Sequence, residues 1–126
     1  MESEVRVLVV EDEDIMRSIL GYAVKELGCE LVGEALDGEQ ALELFAELEP
    51  DLVLLDIHLP KLDGVQVLEK MRTANPDAYI VMLTAMSDED TIEDCLVAGA
   101  RDYLRKDWPG EEVASRLTRH VERLKG

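Results

Sequence analysis

The sequence has few aromatic residues, few basic residues, two cysteines and no long apolar run. Aromatic residues make up 4% and hydrophobic residues 47% of the 126 residues, so the core must be built from aliphatic side chains. The 13 Lys and Arg residues are outnumbered by 29 Asp and Glu residues, which gives a formal net charge of −16. This balance excludes a simple nucleic-acid binder, which needs a basic face against phosphate. It also disfavours binding to an anionic membrane surface.

The two cysteines, Cys29 and Cys95, are far apart in the sequence and match no metal-binding spacing. We interpret them as reduced thiols. No apolar run approaches the roughly 20 residues that are needed to span a bilayer. Residues 1–4 also lack the basic and apolar regions of a secretory signal peptide. The sequence therefore predicts a cytoplasmic protein without a membrane segment.

The whole chain, residues 1–126, is predicted to form a single domain, because its length is typical of one compact unit. Apolar runs predict five strands, at 5–10, 30–35, 52–57, 79–84 and 102–105. Helical spacing predicts helices at 14–27, from the Asp37-Gly38 turn to Glu49, after the turn at 60–64, from Asp88 to Gly99, and at about 110–125. Strands that are apolar throughout and alternate with amphipathic helices indicate a parallel sheet covered on both faces. We expect an α/β fold of the flavodoxin-like, doubly wound (βα)5 type, with strand order 2-1-3-4-5.

Acidic and polar side chains follow four of the predicted strands. The first strand ends in Glu11 and Asp12, the third in Asp56, the fourth in Thr84 and the fifth in Lys106. Strands one and three are neighbours in the predicted order, so the three carboxylates should meet at the sheet edge where ligands bind. Carboxylates this close repel unless a cation relieves them, and hard oxygen ligands suit Mg²⁺. A lysine and a threonine across the same site could bind phosphoryl oxygens.

Each of these residues, taken alone, also has a structural interpretation. Asp56 could cap a loop, and Glu11 and Asp12 could complement the dipole of the following helix. Thr84 alone would be an ordinary β-branched strand residue, and Lys106 alone a solvated surface lysine. The functional interpretation depends on their joint arrangement at the ends of the strands.

Four segments of the sequence together match one family. They are VLVVEDE (7–13), DLVLLDIHLPKLDG (51–64), VMLTA (81–85) and GARDYLRK (99–106). In this order and spacing, the chain resembles a response-regulator receiver domain of two-component signalling, of the chemotaxis-regulator class, from about Val5 to Lys125. The resemblance implies a phosphorylation-operated switch that receives a phosphoryl group from a sensor histidine kinase or phosphotransfer domain. Such a domain is not an enzyme beyond its own phosphotransfer and autodephosphorylation.

The resemblance also implies roles for the residues that follow the strands. Asp56 would be the phosphoacceptor and would form an acyl phosphate. Lys106 and Thr84 would bind phosphoryl oxygens, and Tyr103 would be the switch aromatic that turns inward as Thr84 moves. Magnesium would be held by four groups: Asp12, Asp56, the backbone carbonyl of His58 and, through a water, Glu11.

Three positions depart from the family pattern or vary within it. Asp107 follows Lys106 where the family usually has a proline in a cis peptide. Because a cis bond before a non-proline residue costs about 3–4 kcal/mol, we expect a trans Lys106–Asp107 bond and a rearranged loop. His58 and Met86 occupy the positions that flank the phosphorylation site. Since Met86 cannot orient a water by hydrogen bonding, we hypothesise slow autodephosphorylation.

Two surfaces are predicted to bind partners. The resemblance places the docking of the histidine kinase or phosphotransfer domain near the first helix, around Met16, Ile19 and Leu20. It places output and dimerisation on the face formed by the fourth helix, the fifth strand and the fifth helix. Acidic residues at the start of the fourth helix and arginines on the fifth would suit a homodimer in which acid meets base. Trp108 could belong to this face or anchor the core.

Several alternatives remain open from the sequence. The sequence ends one residue after the last predicted helix, so the chain could be a stand-alone receiver or the receiver portion of a longer regulator with its own output domain. A more remote alternative is a magnesium-dependent phosphohydrolase of the haloacid-dehalogenase type, which also phosphorylates an aspartate. That class has a second acid two residues later, where this chain has His58. A flavin carrier is disfavoured because the acid after the first strand would repel the flavin phosphate.

Overall fold

The sheet of the computed structural model, which describes residues 4–85 and 89–126, has five strands. These are β1 (Arg6–Val10), β2 (Glu30–Ala35), β3 (Leu52–Asp56), β4 (Ile80–Thr84) and β5 (Asp102–Arg105). Their order in the sheet is β2-β1-β3-β4-β5, and every neighbouring pair is parallel. The predicted fold class and strand order are confirmed.

Five helices connect or follow the strands. They are α1 (Asp14–Glu26), α2 (Gly38–Leu48), α3 (Gly64–Ala74), α4 (Glu89–Val97) and α5 (Gly110–Lys125). A reciprocal capping box between Asp63 and Gln66 begins α3, whereas α1 begins without a side-chain cap. Asp88, the predicted cap of α4, lies outside the described residues. Among the helices of the described ranges, none is long and apolar enough to cross a membrane.

Two apolar clusters, one on each face of the sheet, form the core. Successive strand residues point to opposite faces, so Leu8 and Val10 enter one cluster while Val7 and Val9 enter the other. Buried residues of α2, α3 and α4 complete the first cluster, and those of α1 and α5 complete the second. Both clusters are almost entirely aliphatic, as the composition requires.

Three apolar residues whose helical spacing predicts an inward-facing position, Ile15, Ile19 and Leu96, are exposed in the structure. Ile15 and Ile19 of α1 are 78% and 55% exposed, and Leu96 of α4 is 43% exposed. Helix α1 instead packs through Leu20 and Val24. The helix carries more apolar residues than one face can bury, and the contact with the sheet selects which of them face inward.

Candidate functional site

The predicted site residues come together at the carboxyl end of the sheet. Glu11 follows β1 directly, Asp56 is the last residue of β3, and Lys106 follows β5. A backbone hydrogen bond of 3.0 Å from the Glu11 amide to the Ala35 carbonyl ties the end of β1 to β2. Because all the strands are parallel, their carboxyl ends face the same edge, and the loops after them meet there.

Glu11, Asp12 and Asp56 form the acidic cluster. One carboxylate oxygen from each lies within 4.8 Å of the others. Glu11 is fully buried and Asp56 is 2% exposed, whereas Asp12 is exposed at the mouth of the site. Burying ionised carboxylates is costly unless they are paired with cations or hydrogen-bond donors. The cluster therefore depends on the positive charges that reach it.

Lys106 supplies the positive charge that the structure places inside the cluster. Its Nζ lies 2.5 Å from Glu11 Oε1 and donates a 3.0 Å hydrogen bond to Asp56 Oδ2. A third carboxylate, that of Glu13, is 3.7 Å away. Burial alone would lower the pKa of Lys106, but the contacts with Glu11 and Asp56 raise that pKa above its ordinary value. The side chain is thus a firmly charged ammonium.

The acid of the cluster exceeds what Lys106 neutralises. Burial and the charge of Asp56 raise the pKa of Glu11 above its ordinary value, although contact with Lys106 opposes the rise. Glu11 Oε1 is buried in its ion pair with Lys106. Three carboxylate oxygens, with more negative charge than the Lys106 ammonium neutralises, fit a divalent cation such as Mg²⁺.

The two carboxylate oxygens of Asp56 have different partners: Oδ1 accepts from the backbone, and Oδ2 faces Lys106. The His58 amide donates to Asp56 Oδ1 at 3.1 Å. Gly64 packs against this turn so closely that a Cβ there would lie 2.2 Å from the Asp56 carbonyl oxygen. The sequence pattern did not single out Gly64, although a glycine at the end of a turn can indicate that two backbone segments approach each other closely. The side chain of His58 is exposed.

Thr84 and Tyr103 lie where the sequence analysis predicted them. Thr84 is 1% exposed at the end of β4, and its carbonyl accepts a 2.8 Å hydrogen bond from the amide of Lys106. Tyr103 is half-buried on β5, and its ring centroid is 5.8 Å from that of Trp108. Their roles as phosphoryl ligand and switch stay predictions. Met86, on which the hypothesis of slow autodephosphorylation depends, lies outside the described residues.

The loop after Lys106 contains no cis peptide bond, as predicted for Lys106–Asp107. Arg105 clamps the loop through two hydrogen bonds of 2.9 and 2.6 Å to the Asp107 carboxylate. Trp108 is half-buried against the second core cluster, and the Arg116 guanidinium lies 4.7 Å from its ring centroid. Trp108 therefore anchors the loop on the core while Arg116 covers its outer side.

A second polar group, at the opposite end of the sheet, was not anticipated from the sequence. His120 of α5 is 6% exposed, and its Nδ1 lies 2.6 Å from the hydroxyl of Tyr79. Its Nε2 lies 2.9 Å from Asp102 Oδ2. A carboxylate only accepts, so Nε2 donates to Asp102 and a neutral ring accepts from Tyr79 through Nδ1. A single histidine in a helix gives no sequence signal for these partners.

Comparisons with known proteins agree on one family. Residues 7–118 match the family model described as the response regulator receiver domain. Chemotaxis protein CheY of Thermotoga maritima is 32% identical over 114 residues, which cover 90% of this chain and 95% of that protein. Transcriptional regulatory protein PdtaR of Mycobacterium tuberculosis is 39% identical over 127 residues, covering 96% of this chain and 62% of that protein.

The solved structures give the same result for the fold. A chain in the crystal structure of the CheX–CheY–BeF3–Mg complex from Borrelia burgdorferi superposes with a TM-score of 0.86 at 28% identity. The match covers 91% of this chain and 87% of that chain. The five strands and the five intervening or following helices thus have close counterparts in a solved structure.

Proposed function

This chain belongs to the response regulator receiver domain family of two-component signalling, and we propose that Asp56 is its phosphoacceptor. The donor would be a sensor histidine kinase or a phosphotransfer domain, the partners with which receiver domains interact. The observation that carries the proposal is the buried Asp56 carboxylate within hydrogen-bond distance of Lys106, beside two further carboxylates. Receiver domains are signalling switches rather than enzymes that turn over an external substrate.

In the proposed phosphotransfer, an oxygen of Asp56 attacks the phosphorus of the donor. A P–O bond forms as the bond between phosphorus and the donor nitrogen breaks, and the electron pair leaves with the donor imidazole. The His58 amide keeps hold of Oδ1, so the carboxylate stays oriented during attack. Lys106, now on Oδ2, can transfer its hydrogen bond to a phosphoryl oxygen as a point charge.

Magnesium fits the acidic cluster, and Asp12, Asp56 and the His58 carbonyl would hold it, with Glu11 acting through a water. When bound, it would neutralise charge on the transferring phosphoryl group. Glu11 contributes by keeping a buried negative charge next to Lys106, which balances the ammonium in the unphosphorylated state. Asp12, exposed at the mouth, is the carboxylate that solvent and incoming groups reach first.

The proposed switch links Thr84 to Tyr103. Thr84 would close on the phosphoryl group through its hydroxyl, and Tyr103 would turn inward as Thr84 moves. The two residues would thus move between an inactive and an active arrangement. Phosphorylation can shift the equilibrium between these arrangements only by as much as the active one binds the phosphoryl group more tightly than the inactive one does. Trp108 contacts Tyr103 and packs on the core, so a rearrangement of Tyr103 would change the surroundings of the single tryptophan.

We place the docking site for the phosphoryl donor on α1, as the sequence predicts. Leu20 is buried and Met16 is half-buried against the core, so neither offers much free surface. Ile15, Ile19 and Tyr22, spaced by about one helical turn, are 78%, 55% and 67% exposed. This apolar stripe begins beside Asp12, and a helix packed on it would present a phosphohistidine close to Asp56.

The proposed homodimer uses the face of α4, β5 and α5. Glu89, Asp90, Glu93 and Asp94 are exposed on α4, and Arg119 and Arg123 are exposed on α5. Each helix of one protomer would meet the oppositely charged helix of its partner. Sedimentation with and without beryllofluoride and Mg²⁺ should show a phosphorylation-dependent dimer that weakens at high salt. Monomers in every condition would contradict the dimer.

Labelling with acetyl phosphate tests the phosphoacceptor. The wild-type protein should incorporate acid-stable, base-labile phosphate in the presence of Mg²⁺, and EDTA should reduce incorporation at least a hundredfold. Asp56→Asn should abolish it, because the amide is no longer a competent nucleophile. Asp77→Asn, at an exposed loop carboxylate, is the matched control and should label like wild type. Label that persists in Asp56→Asn would overturn the assignment.

A further inference from the structure

Arg17 of α1 holds three parts of the molecule together beside the acidic cluster. Its Nη1 donates a 3.1 Å hydrogen bond to the backbone carbonyl of Glu11. Its Nη2 lies 2.6 Å from Asp14 Oδ1, and its Nε lies 3.2 Å from Glu34 Oε2 on β2. The side chain is only 16% exposed, so these contacts are screened less than those of a surface arginine. Neither the family motifs nor the sequence periodicity assigns this residue a role.

The carboxylate of Asp12 depends on the backbone on either side of it. Among the described residues it accepts no hydrogen bond, in contrast to Glu11 and Asp56. The preceding carbonyl, that of Glu11, is bound by the Arg17 side chain at 3.1 Å. After Asp12, the amide of Glu13 donates a 3.1 Å hydrogen bond to Glu11 Oε2, and the carbonyl of Glu13 accepts the ordinary helical hydrogen bond from the Arg17 amide at 2.9 Å. The Arg17 guanidinium therefore fixes the peptide group that precedes Asp12, and the Glu11 carboxylate fixes the peptide group that follows it.

The turn that carries Asp12 leads directly into α1. Helix α1 begins at Asp14, and its N-cap residue Glu13 makes no side-chain cap, so its first turn lacks the hydrogen bond that orients most helix starts. Glu34 ties the guanidinium to β2, which is paired with β1, so the turn is fixed to the sheet through Arg17. Removing the guanidinium would leave the Glu11 carbonyl, on the peptide group before Asp12, without the Arg17 donor.

We propose that Arg17 is a positioning residue that orients Asp12 toward Asp56 for magnesium binding. The inference rests on the proposed function, since it assumes that the acidic cluster is a Mg²⁺ site. Groups that orient metal ligands without touching the metal commonly change affinity by about 10–100-fold when removed. Through-space electrostatics predicts the opposite sign, because loss of a nearby positive charge should strengthen binding of a cation. The direction of the change therefore distinguishes positioning from charge.

The test is a calorimetric titration with Mg²⁺ alone of wild type, Arg17→Gln and Arg17→Lys, with urea unfolding of each variant. We expect both substitutions to weaken Mg²⁺ binding, Arg17→Gln by about tenfold or more. Lysine keeps the charge but cannot bridge three groups in a fork geometry. Arg6→Gln is the matched control, because half-buried Arg6 donates to the carbonyls of Leu48 and Glu49 at 2.8 and 3.1 Å, at the other end of β1. It should lower stability and leave Mg²⁺ affinity unchanged.

Each outcome has a defined meaning. Unchanged or tighter Mg²⁺ binding in Arg17→Gln would overturn the inference, as would wild-type affinity in Arg17→Lys or an equal loss in Arg6→Gln. If Arg17→Gln does not fold, Arg17→Lys decides the question, since its charge matches wild type. Wild-type protein that binds no Mg²⁺ would instead refute the proposed metal site itself.

Discussion

At the carboxyl end of the sheet, Glu11 and Asp56 are buried and share the ammonium of Lys106, which leaves an excess of negative charge. At the amino end, His120 is equally buried, but both of its ring nitrogens have partners, Tyr79 at 2.6 Å and Asp102 at 2.9 Å. Both carboxylate oxygens of Asp102 accept hydrogen bonds, because the oxygen that does not contact His120 accepts from the amide of Tyr103 at 2.8 Å.

The difference shows what each end of the sheet is built for. A closed hydrogen-bonded group makes burial of polar atoms tolerable and fixes the packing of neighbouring elements, here β4, β5 and α5. An open, over-acidic group costs stability and persists where binding of a ligand completes it. From this difference we infer that the amino end stabilises the fold, whereas the carboxyl end is arranged to bind a ligand. Substitutions at the amino end should mainly lower stability, whereas substitution of a carboxylate at the carboxyl end should mainly weaken Mg²⁺ binding.

The largest effect on stability is expected for His120→Ala. The change leaves the Tyr79 hydroxyl and the Asp102 carboxylate without their partner and opens a cavity beneath α5. We expect the free energy of unfolding to fall by about 3 kcal/mol, as measured by urea denaturation. His58→Ala is the control for stability, because that side chain is exposed, and it should change the free energy by less than about 0.5 kcal/mol.

His120→Ala also tests whether the two ends of the sheet act independently. Phosphate incorporation from acetyl phosphate should stay near the wild-type level under conditions where His120→Ala is folded. A loss of stability below about 1 kcal/mol would show that the hydrogen-bonded group is not the stabilising element we infer. Abolished phosphorylation in folded protein would show that the two ends are not independent.

The fold and the carboxyl end could be predicted from sequence because both depend on local patterns. Five apolar runs and the residues directly after them determine which side chains reach one edge of a parallel sheet. The bounds of β2, β5 and α5 agree with the prediction, since turn residues or a change in polarity mark them. Glu11, Asp12, Asp56 and Lys106 met as expected because each is adjacent to a strand end.

The remaining features depend on the rotation of helices and on contacts between distant residues. His120 belongs to α5, Asp102 to β5, and Tyr79 directly precedes β4, and no periodicity shows that α5 turns one histidine toward the sheet. The exposure of Ile15 on α1 could not be predicted for the same reason, because several helix rotations bury a similar apolar area. The contact between Arg17 and Glu34 could not be predicted either, because it joins α1 to the strand β2 and leaves no trace in the apolar pattern of the helix.

At the carboxyl end, Glu11→Gln is expected not to lower the free energy of unfolding, in contrast to His120→Ala. Glu11→Gln removes a fully buried charge while leaving Lys106 bonded to Asp56. The free energy of unfolding at pH 7 should stay equal or rise by up to about 1 kcal/mol, because the desolvation of a carboxylate is removed. Mg²⁺ affinity, measured by calorimetry, should fall about tenfold. A clear loss of stability would contradict the view that this end is strained by excess acid.

The pH dependence of this pair follows from the raised pKa of Glu11. A raised carboxyl pKa means that the folded protein holds the proton more tightly than the unfolded chain does. Ionised Glu11 therefore costs stability at pH 7, and this cost disappears as the pH falls through the folded pKa toward the ordinary value of 4.5. The stability difference between Glu11→Gln and wild type should narrow over that range. A difference that widens on acidification would refute the assigned direction.

The smallest effect is expected for Tyr79→Phe, which removes one hydroxyl from the amino end. The substitution leaves the ring in place and deprives His120 Nδ1 of its donor, so the free energy of unfolding should fall by about 1 kcal/mol. The informative comparison is with the same change made in His120→Ala protein. There the hydroxyl has already lost its partner, so Tyr79→Phe should cost almost nothing, and the two substitutions should couple by about 1 kcal/mol. Equal costs in both backgrounds would mean that the 2.6 Å contact between Tyr79 and His120 contributes no stability of its own.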